Sequence, residues 1–297
     1  MSGSDLFDPA FLTSLEALRL IARRVPAGGR HGEQRSAARG MGIEFTDVRP
    51  YTPGDDFRAI DWHVFQRLDK LFLRLYLEEQ DLPVYFLIDQ SRSMSLPGPG
   101  GAERRRTALQ AVAALSYVAL QHLDRVAIFP FAGEELAPLP GTSGRAGFQR
   151  VLDYLERLPQ GTETRLSEAL TRFAHRRLRR GLLVLVSDFL DPRGPDAWLP
   201  VLNAIPHRPL LLRTALVGED RPALRGPIEV VDCETGTTLA LEADDALVAR
   251  YAQAHAAFVR QLEDFCRGRG AGMLHLVAGL PTVPQLARLF TQGVLTA

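Results

Sequence analysis

The sequence predicts an α/β protein with a Rossmann-like, doubly wound and mostly parallel sheet, preceded by an N-terminal helix and an extension. From Pro83 onward, short apolar runs alternate with helix-length amphipathic stretches, the pattern of strands covered on both faces by helices. Two of the runs, Val84 to Ile88 and Leu182 to Ser187, are apolar at nearly every position, as strands buried on both faces must be. Hydroxyl and carboxyl side chains stand directly after those runs, where an open sheet of this kind binds ligands.

The elements follow in order. Phe11, Leu12, Leu15, Leu18 and Ile21 recur at helical spacing within Pro9 to Val25, and Pro26-Ala27-Gly28-Gly29 ends the run. A polar, Gly- and Arg-rich stretch fills Gly28 to Gly42. An extended run, Ile43 to Arg49, leads to the turn-like Thr52-Pro53-Gly54-Asp55, and Leu71 to Leu77 reads as a strand. Residues 1–80 are therefore grouped as a helix plus extension, and residues 81–297 as the α/β domain. In the latter, helices are expected over Arg105 to Leu123, Gly147 to Leu158, Leu166 to Leu178, Ala197 to Ala204, Asp244 to Arg267 and Val283 to Phe290. Strands are expected over Val126 to Phe131, Leu210 to Val217 and Met273 to Val277. Ile228 to Val231 with Thr237 to Leu241 reads as a hairpin.

Composition narrows the chemistry. The 297 residues carry 35 basic and 35 acidic side chains, a formal net charge of zero, which argues against bulk nucleic-acid binding. Lys70 is the single lysine. It stands in Leu68-Asp69-Lys70-Leu71 without glycines, so the chain carries no G-x-x-x-x-G-K-[ST] phosphate loop. Cys233 and Cys266 form no C-x-x-C pair and are expected to be reduced thiols. Neither a secretory leader nor an apolar stretch long enough to span a bilayer is visible, so a cytoplasmic location without a membrane span is expected. The basic runs Arg104-Arg105-Arg106 and His175 to Arg180 read as solvated faces.

The segment after the first central strand is Asp89-Gln90-Ser91-Arg92-Ser93, a D-x-S-x-S motif. On an extended loop these alternate positions point the same way, so one carboxylate and two hydroxyls converge. Such hard oxygen donors suit magnesium, manganese or calcium rather than zinc. The motif alone is weak, and its position is what matters. Gly161-Thr162-Glu163-Thr164 and Ser187-Asp188 supply matching oxygens at two more loops.

This three-loop pattern resembles the von Willebrand factor A-like domain and its metal-ion-dependent adhesion site. The resemblance implies a divalent cation, Mg2+ or else Mn2+ or Ca2+, held by Asp89, Ser91, Ser93, Thr162 and Asp188. Thr162 follows Gly161, and Thr164 is the competing choice. The third loop reads Ser187-Asp188-Phe189 where the family more often has Thr-Asp-Gly. Two carboxylates would leave residual positive charge on the metal, open to an acidic side chain from a partner.

Upstream, Arg49-Pro50-Tyr51-Thr52-Pro53-Gly54-Asp55-Asp56-Phe57-Arg58-Ala59-Ile60-Asp61-Trp62 resembles the R-x-Y-x-P-G-D-D-x-R-x-I-D-W hallmark of the bacterial domain of unknown function 58. Glu78-Glu79-Gln80-Asp81 and Asp232-Cys233-Glu234-Thr235-Gly236 are similar to that family as well. In residue terms, Arg49, Asp55, Asp56, Arg58 and Asp61 can pair around the Pro53-Gly54 turn, with Tyr51 and Trp62 anchoring it on the sheet. A docking surface or a second cation site on Asp55, Asp56 and Asp61 is the other reading.

The resemblance implies a non-enzymatic, cation-dependent interaction module. It would serve as adaptor or chaperone with a MoxR-type AAA+ ATPase that acts on a client protein, with no nucleic acid involved. The competing expectation is a metal-dependent hydrolase or phosphatase-like enzyme using Asp89. Against it, the second acid expected two residues on is Ser91, and neither G-x-S-x-G nor H-E-x-x-H occurs.

Overall fold

The structure, a computed structural model, describes residues 6–24, 44–52, 57, 60–77, 83–95, 101–133 and 136–295. Two compact units are distinguished: Met1–Pro26 with Leu82–Ala297, and Ala27–Asp81. Helix α1 (Pro9–Arg24) thus belongs with the α/β unit, which corrects its grouping with the extension. Its apolar stripe explains why: Leu15, Leu18 and Ala22 are fully buried in the same core as Val84, Phe86 and Ile88. Asp8 caps the helix by accepting the Phe11 N–H at 2.7 Å.

In the smaller unit, β1 (Glu44–Pro50) pairs antiparallel with β2 (Phe72–Leu77), and α2 (Trp62–Leu68) stands between them in sequence. This helix was not foreseen. It buries none of its own residues, so it lacks the apolar stripe that marks a helix in sequence. What starts it is Asp61, whose carboxylate accepts the His63 and Val64 N–H groups. Asp61 is therefore a helix cap. Trp62 is exposed and packs edge-on against Phe65 of the same helix, contrary to the expected anchoring role. The Pro53-Gly54 turn with Asp55, Asp56 and Arg58, and Glu78-Glu79-Gln80-Asp81, lie outside the described residues.

The larger unit is a Rossmann-like α/β fold. Its strands are β3 (Pro83–Asp89), β4 (Arg125–Phe131), β5 (Leu139–Thr142), β6 (Leu182–Ser187), β7 (Arg208–Ala215) and β10 (Gly272–Val277), in the order β10-β7-β6-β3-β4-β5. All neighbours pair parallel except the edge strand β5. β5 was missed because Leu139-Pro140-Gly141-Thr142 is interrupted by Pro and Gly, a composition tolerated at an edge. The helices are α3 (Gly101–Gln121), α4 (Gly144–Glu156), α5 (Leu166–His175), α6 (Pro195–Ala204), α7 (Asp245–Arg269) and α8 (Thr282–Thr291). A separate antiparallel hairpin, β8 (Gly226–Val231) with β9 (Thr238–Ala243), precedes α7.

Strand alternation divides the core. Val84, Phe86 and Ile88 pack with α1, α3, α4 and α8, whereas Tyr85 and Leu87 pack with α5, α6 and α7. The chain runs outward through β4 and β5 on one side of β3 and through β6, β7 and β10 on the other. The reversal falls between β3 and β6, which is where a doubly wound sheet opens a crevice at its carboxyl edge. Among the described residues, no helix is long and apolar enough to cross a membrane.

Candidate functional site

Asp89 ends β3 and Ser187-Asp188 ends β6, so the sheet order places two carboxylates at the crevice. Both are fully buried. Asp89 Oδ1 accepts the Ser91 N–H at 2.9 Å, and its Oδ2 accepts the Ser187 hydroxyl at 2.6 Å. These bonds do not offset desolvation. Burial, and then the charge of Asp188, push the Asp89 carboxyl up to about 7. Ser91 and Ser93 are also buried, their hydroxyls 2.9 Å apart. The first motif therefore gathers one carboxylate and two hydroxyls, as its spacing requires.

The second loop is held against the first by backbone: Gly161 N–H donates to Gln90 O at 2.7 Å, and Arg92 N–H to Thr162 O at 3.2 Å. The loop after β6 clasps it from the other side, because Asp191 accepts the Leu166 N–H at the start of α5. Within this loop Thr162 is exposed and Thr164 is buried. The shielded hydroxyl of this loop belongs to Thr164, the competing choice.

Asp188 has a partner that sequence reading missed. Arg104, at the start of α3, donates from Nη1 to Asp188 Oδ2 at 2.8 Å and from Nη2 to Glu219 Oε2 at 2.7 Å. Glu219 in turn pairs with Arg213, which meets His255 Nε2 at 2.9 Å. Arg104 and Arg213 are buried, which corrects the reading of Arg104-Arg105-Arg106 as a solvated face. Arg105 is drawn in as well, bonding Leu158 O at 2.6 Å. The His175 to Arg180 run is largely exposed as expected. The other Asp188 oxygen accepts the Leu190 N–H at 3.0 Å, so both of its oxygens are engaged.

Beyond Asp188, Phe189 takes φ 62°, a left-handed conformation unusual for a bulky residue. The ring compensates by burying completely against Trp198, centroids 5.4 Å apart.

A further acid approaches from far along the chain. Glu234, in the β8–β9 turn, accepts the Thr164 N–H at 2.9 Å and the Thr164 hydroxyl at 2.7 Å. Burial holds its carboxyl above the ordinary value despite those bonds.

This donor set fits a hard divalent cation through Asp89, Ser91, Ser93 and Thr164. Fully buried Asp89, with only neutral donors on it and Asp188 nearby, is the group a cation would relieve. Asp188 would contribute charge, since Arg104 and a backbone N–H hold its oxygens. Among the described residues no three His, Cys, Asp or Glu side chains form a ligand cluster, so hydroxyls would have to supply most of the shell.

Residues 47–260 match the family model described as protein of unknown function DUF58. The uncharacterized protein Rv1480 of Mycobacterium tuberculosis is 29% identical over 281 residues, covering 93% of this chain and 87% of that protein. Among solved structures, an aerotolerance-related membrane protein from Bacteroides fragilis is 18% identical. That match covers 72% of this chain and 98% of the other, with a TM-score of 0.42. Manganese-loaded TRAP protein of Plasmodium vivax is 18% identical and covers 46% of this chain and 58% of that one, with a TM-score of 0.31. At such scores no feature of those structures transfers to this one.

Proposed function

The chain belongs to the family described as protein of unknown function DUF58, and from that premise we propose that it is a non-enzymatic protein-interaction module. Its strand-end loops hold a divalent cation to which a partner's acidic side chain binds. The observation that carries this reading is the gathering of buried Asp89, Ser91 and Ser93 at the crevice between β3 and β6, with the loop of buried Thr164 bonded to theirs through backbone. The cation supplies a Lewis-acidic centre for a carboxylate, and the four side chains present it. Asp188, tied to Arg104, holds the third loop in place beside it.

Phosphatase-like use of Asp89 is disfavoured, because Ser91 stands where the second acid of such a site is expected. The partner we propose is a MoxR-type AAA+ ATPase acting on a client protein, in keeping with a chain that carries no phosphate-binding lysine loop of its own.

Thermal unfolding tests the site. Magnesium or manganese should raise the midpoint of the wild type. Asp89→Asn keeps the hydrogen-bonding shape but removes the charge, so it should fold as stably without metal and show no rise with it. A wild-type midpoint indifferent to both metals would end the cation reading. For the partner, association with the ATPase should fail in EDTA and return with manganese; association that persists in EDTA would rule out cation bridging.

A further inference from the structure

The β8–β9 hairpin interrupts the α/β pattern after β7 and is largely exposed along both strands, Val230, Val231 and Leu239 included. Its turn is the exception. Asp232 accepts the Glu234 N–H at 2.8 Å and the Thr235 N–H at 3.1 Å, and Gly236 takes φ 73°, which closes the turn. This tip meets the strand-end loops. There Arg92 Nη1 donates to Cys233 O at 3.3 Å, and Glu234 takes both the N–H and the hydroxyl of Thr164.

Two donors on one residue, immediately before α5, form a carboxylate seat: the hydroxyl and amide face the acid, and the helix start favours negative charge. A Thr hydroxyl has one proton to give. Giving it to Glu234 leaves its lone pairs for a cation, so the hairpin acid and a metal can share Thr164. Arg92, which steadies the hairpin tip, lies between Ser91 and Ser93 in the metal motif. Contacts to the tip thus come from the two loops that would present the cation.

We propose that Glu234 occupies the acid-binding position of the strand-end site in cis. The hairpin is then a tethered arm that an acidic side chain of a partner must displace. This rests on the strand-end site being where a partner's acid binds. Because the arm is tethered, its local concentration reaches the millimolar range, so only a partner with further contacts would win the exchange. Specificity would then come from what displaces the arm as much as from the cation.

Cys233 makes the arm observable, since it is half-exposed at the tip while Cys266 is buried in α7. The measurement is the rate of thiol labelling of Cys233 in the full chain, with and without manganese, beside thermal midpoints. Without metal, Glu234→Gln and Thr164→Val should each speed labelling at least about ten-fold, the loss expected for a hydrogen bond to a charged group. Thr164→Val retains the charge of Glu234, so a faster rate in that variant reports release of the arm and not a more acidic thiol. With manganese, labelling of the wild type should slow several-fold and that of Glu234→Gln should not.

Unchanged rates in both variants would overturn the proposal. A manganese-raised midpoint with unchanged wild-type labelling would keep the cation site and remove Glu234 from it. Faster labelling in the variants with no manganese effect on either readout would keep the arm on Thr164 and overturn the cation reading.

Discussion

The amino and carboxyl ends of the central sheet use the same strands to opposite effect. At the amino end, buried polar groups are neutral and paired. The Tyr85 hydroxyl donates to Arg179 O at 2.9 Å, and His207 Nδ1 accepts the Gly181 N–H at 3.1 Å. Tyr85 meets Phe173 and His207 edge to face and the latter two are tilted, with centroids 5.0 to 5.7 Å apart. At the carboxyl end, Asp89, Asp188, Arg104 and Arg213 are all buried as potential charges. Arg104 Nε and Arg213 Nε have no hydrogen-bond partner among the described residues. A sheet end that serves only stability has no reason to bury charges, which hydrophobic replacement often improves upon. Buried charges at the carboxyl end support the site proposed there.

The sharpest way to break that contrast is Arg104→Leu. It leaves buried Asp188 without its ion-pair partner while Glu219 keeps Arg213, and removing one member of a buried pair costs about 3–5 kcal/mol. Urea unfolding should show that loss, and Asp188→Asn in the same chain should recover part of it. A loss under about 1 kcal/mol would mean the carboxyl end is wet and its charges are ordinary surface charges.

Phe189 comes next. Phe189→Ala keeps the left-handed backbone and loses the ring against Trp198, a loss of about 3–4 kcal/mol. Phe189→Gly loses the same packing but sits comfortably at φ 62°, so it should be milder by about 1 kcal/mol. Equal losses would show that the backbone there is not strained.

Gly181→Ala probes the amino end. A Cβ at Gly181 would come within 2.1 Å of the Pro83 carbonyl oxygen, so β3 and β6 must part locally, at about 1–3 kcal/mol. If the two ends are separate in function, the rise in midpoint caused by manganese should be the same in this variant as in the wild type. A diminished rise would join the two ends into one cooperative site.

Much of this contrast was legible in the sequence, and the part that was not has a physical reason. Buried strands such as Leu182–Ser187 declare themselves by continuous apolarity, and oxygen-bearing side chains after a strand inherit their direction from it. Asp89, Ser91, Ser93 and Asp188 were found that way. Arg104, Glu219 and Glu234 were not, because their partners lie far off in sequence: 84 residues separate Arg104 from Asp188, and 70 separate Thr164 from Glu234. No local period encodes such a pair. Arg104-Arg105-Arg106 reads as a solvated face until the fold shows that α3 points Arg104 into the crevice. Similarly, α1 has an evident apolar stripe, but a stripe does not say which core it covers.

The smallest effect isolates the amino end. Burial, and next the charge of Arg180, hold the His207 imidazole below its ordinary value. Among the described residues its neighbours offer no acid: Tyr85 and Phe173 face its ring, and the Gly181 N–H occupies Nδ1. The unfolded chain takes up a proton near pH 6.5 that the folded chain refuses until the pH is lower. Stability from this group is therefore complete above about pH 6.5 and is lost as pH falls through the folded value. The slope is at most one proton, about 1.4 kcal/mol per pH unit. His207→Asn can still accept the Gly181 N–H through its amide oxygen, but it cannot titrate. Urea unfolding in EDTA between pH 7 and pH 5 should therefore fall more steeply in the wild type than in His207→Asn. Parallel profiles would mean that His207 is solvated in the folded chain, and the amino end would lose its claim to be the neutral, tightly paired side of the sheet.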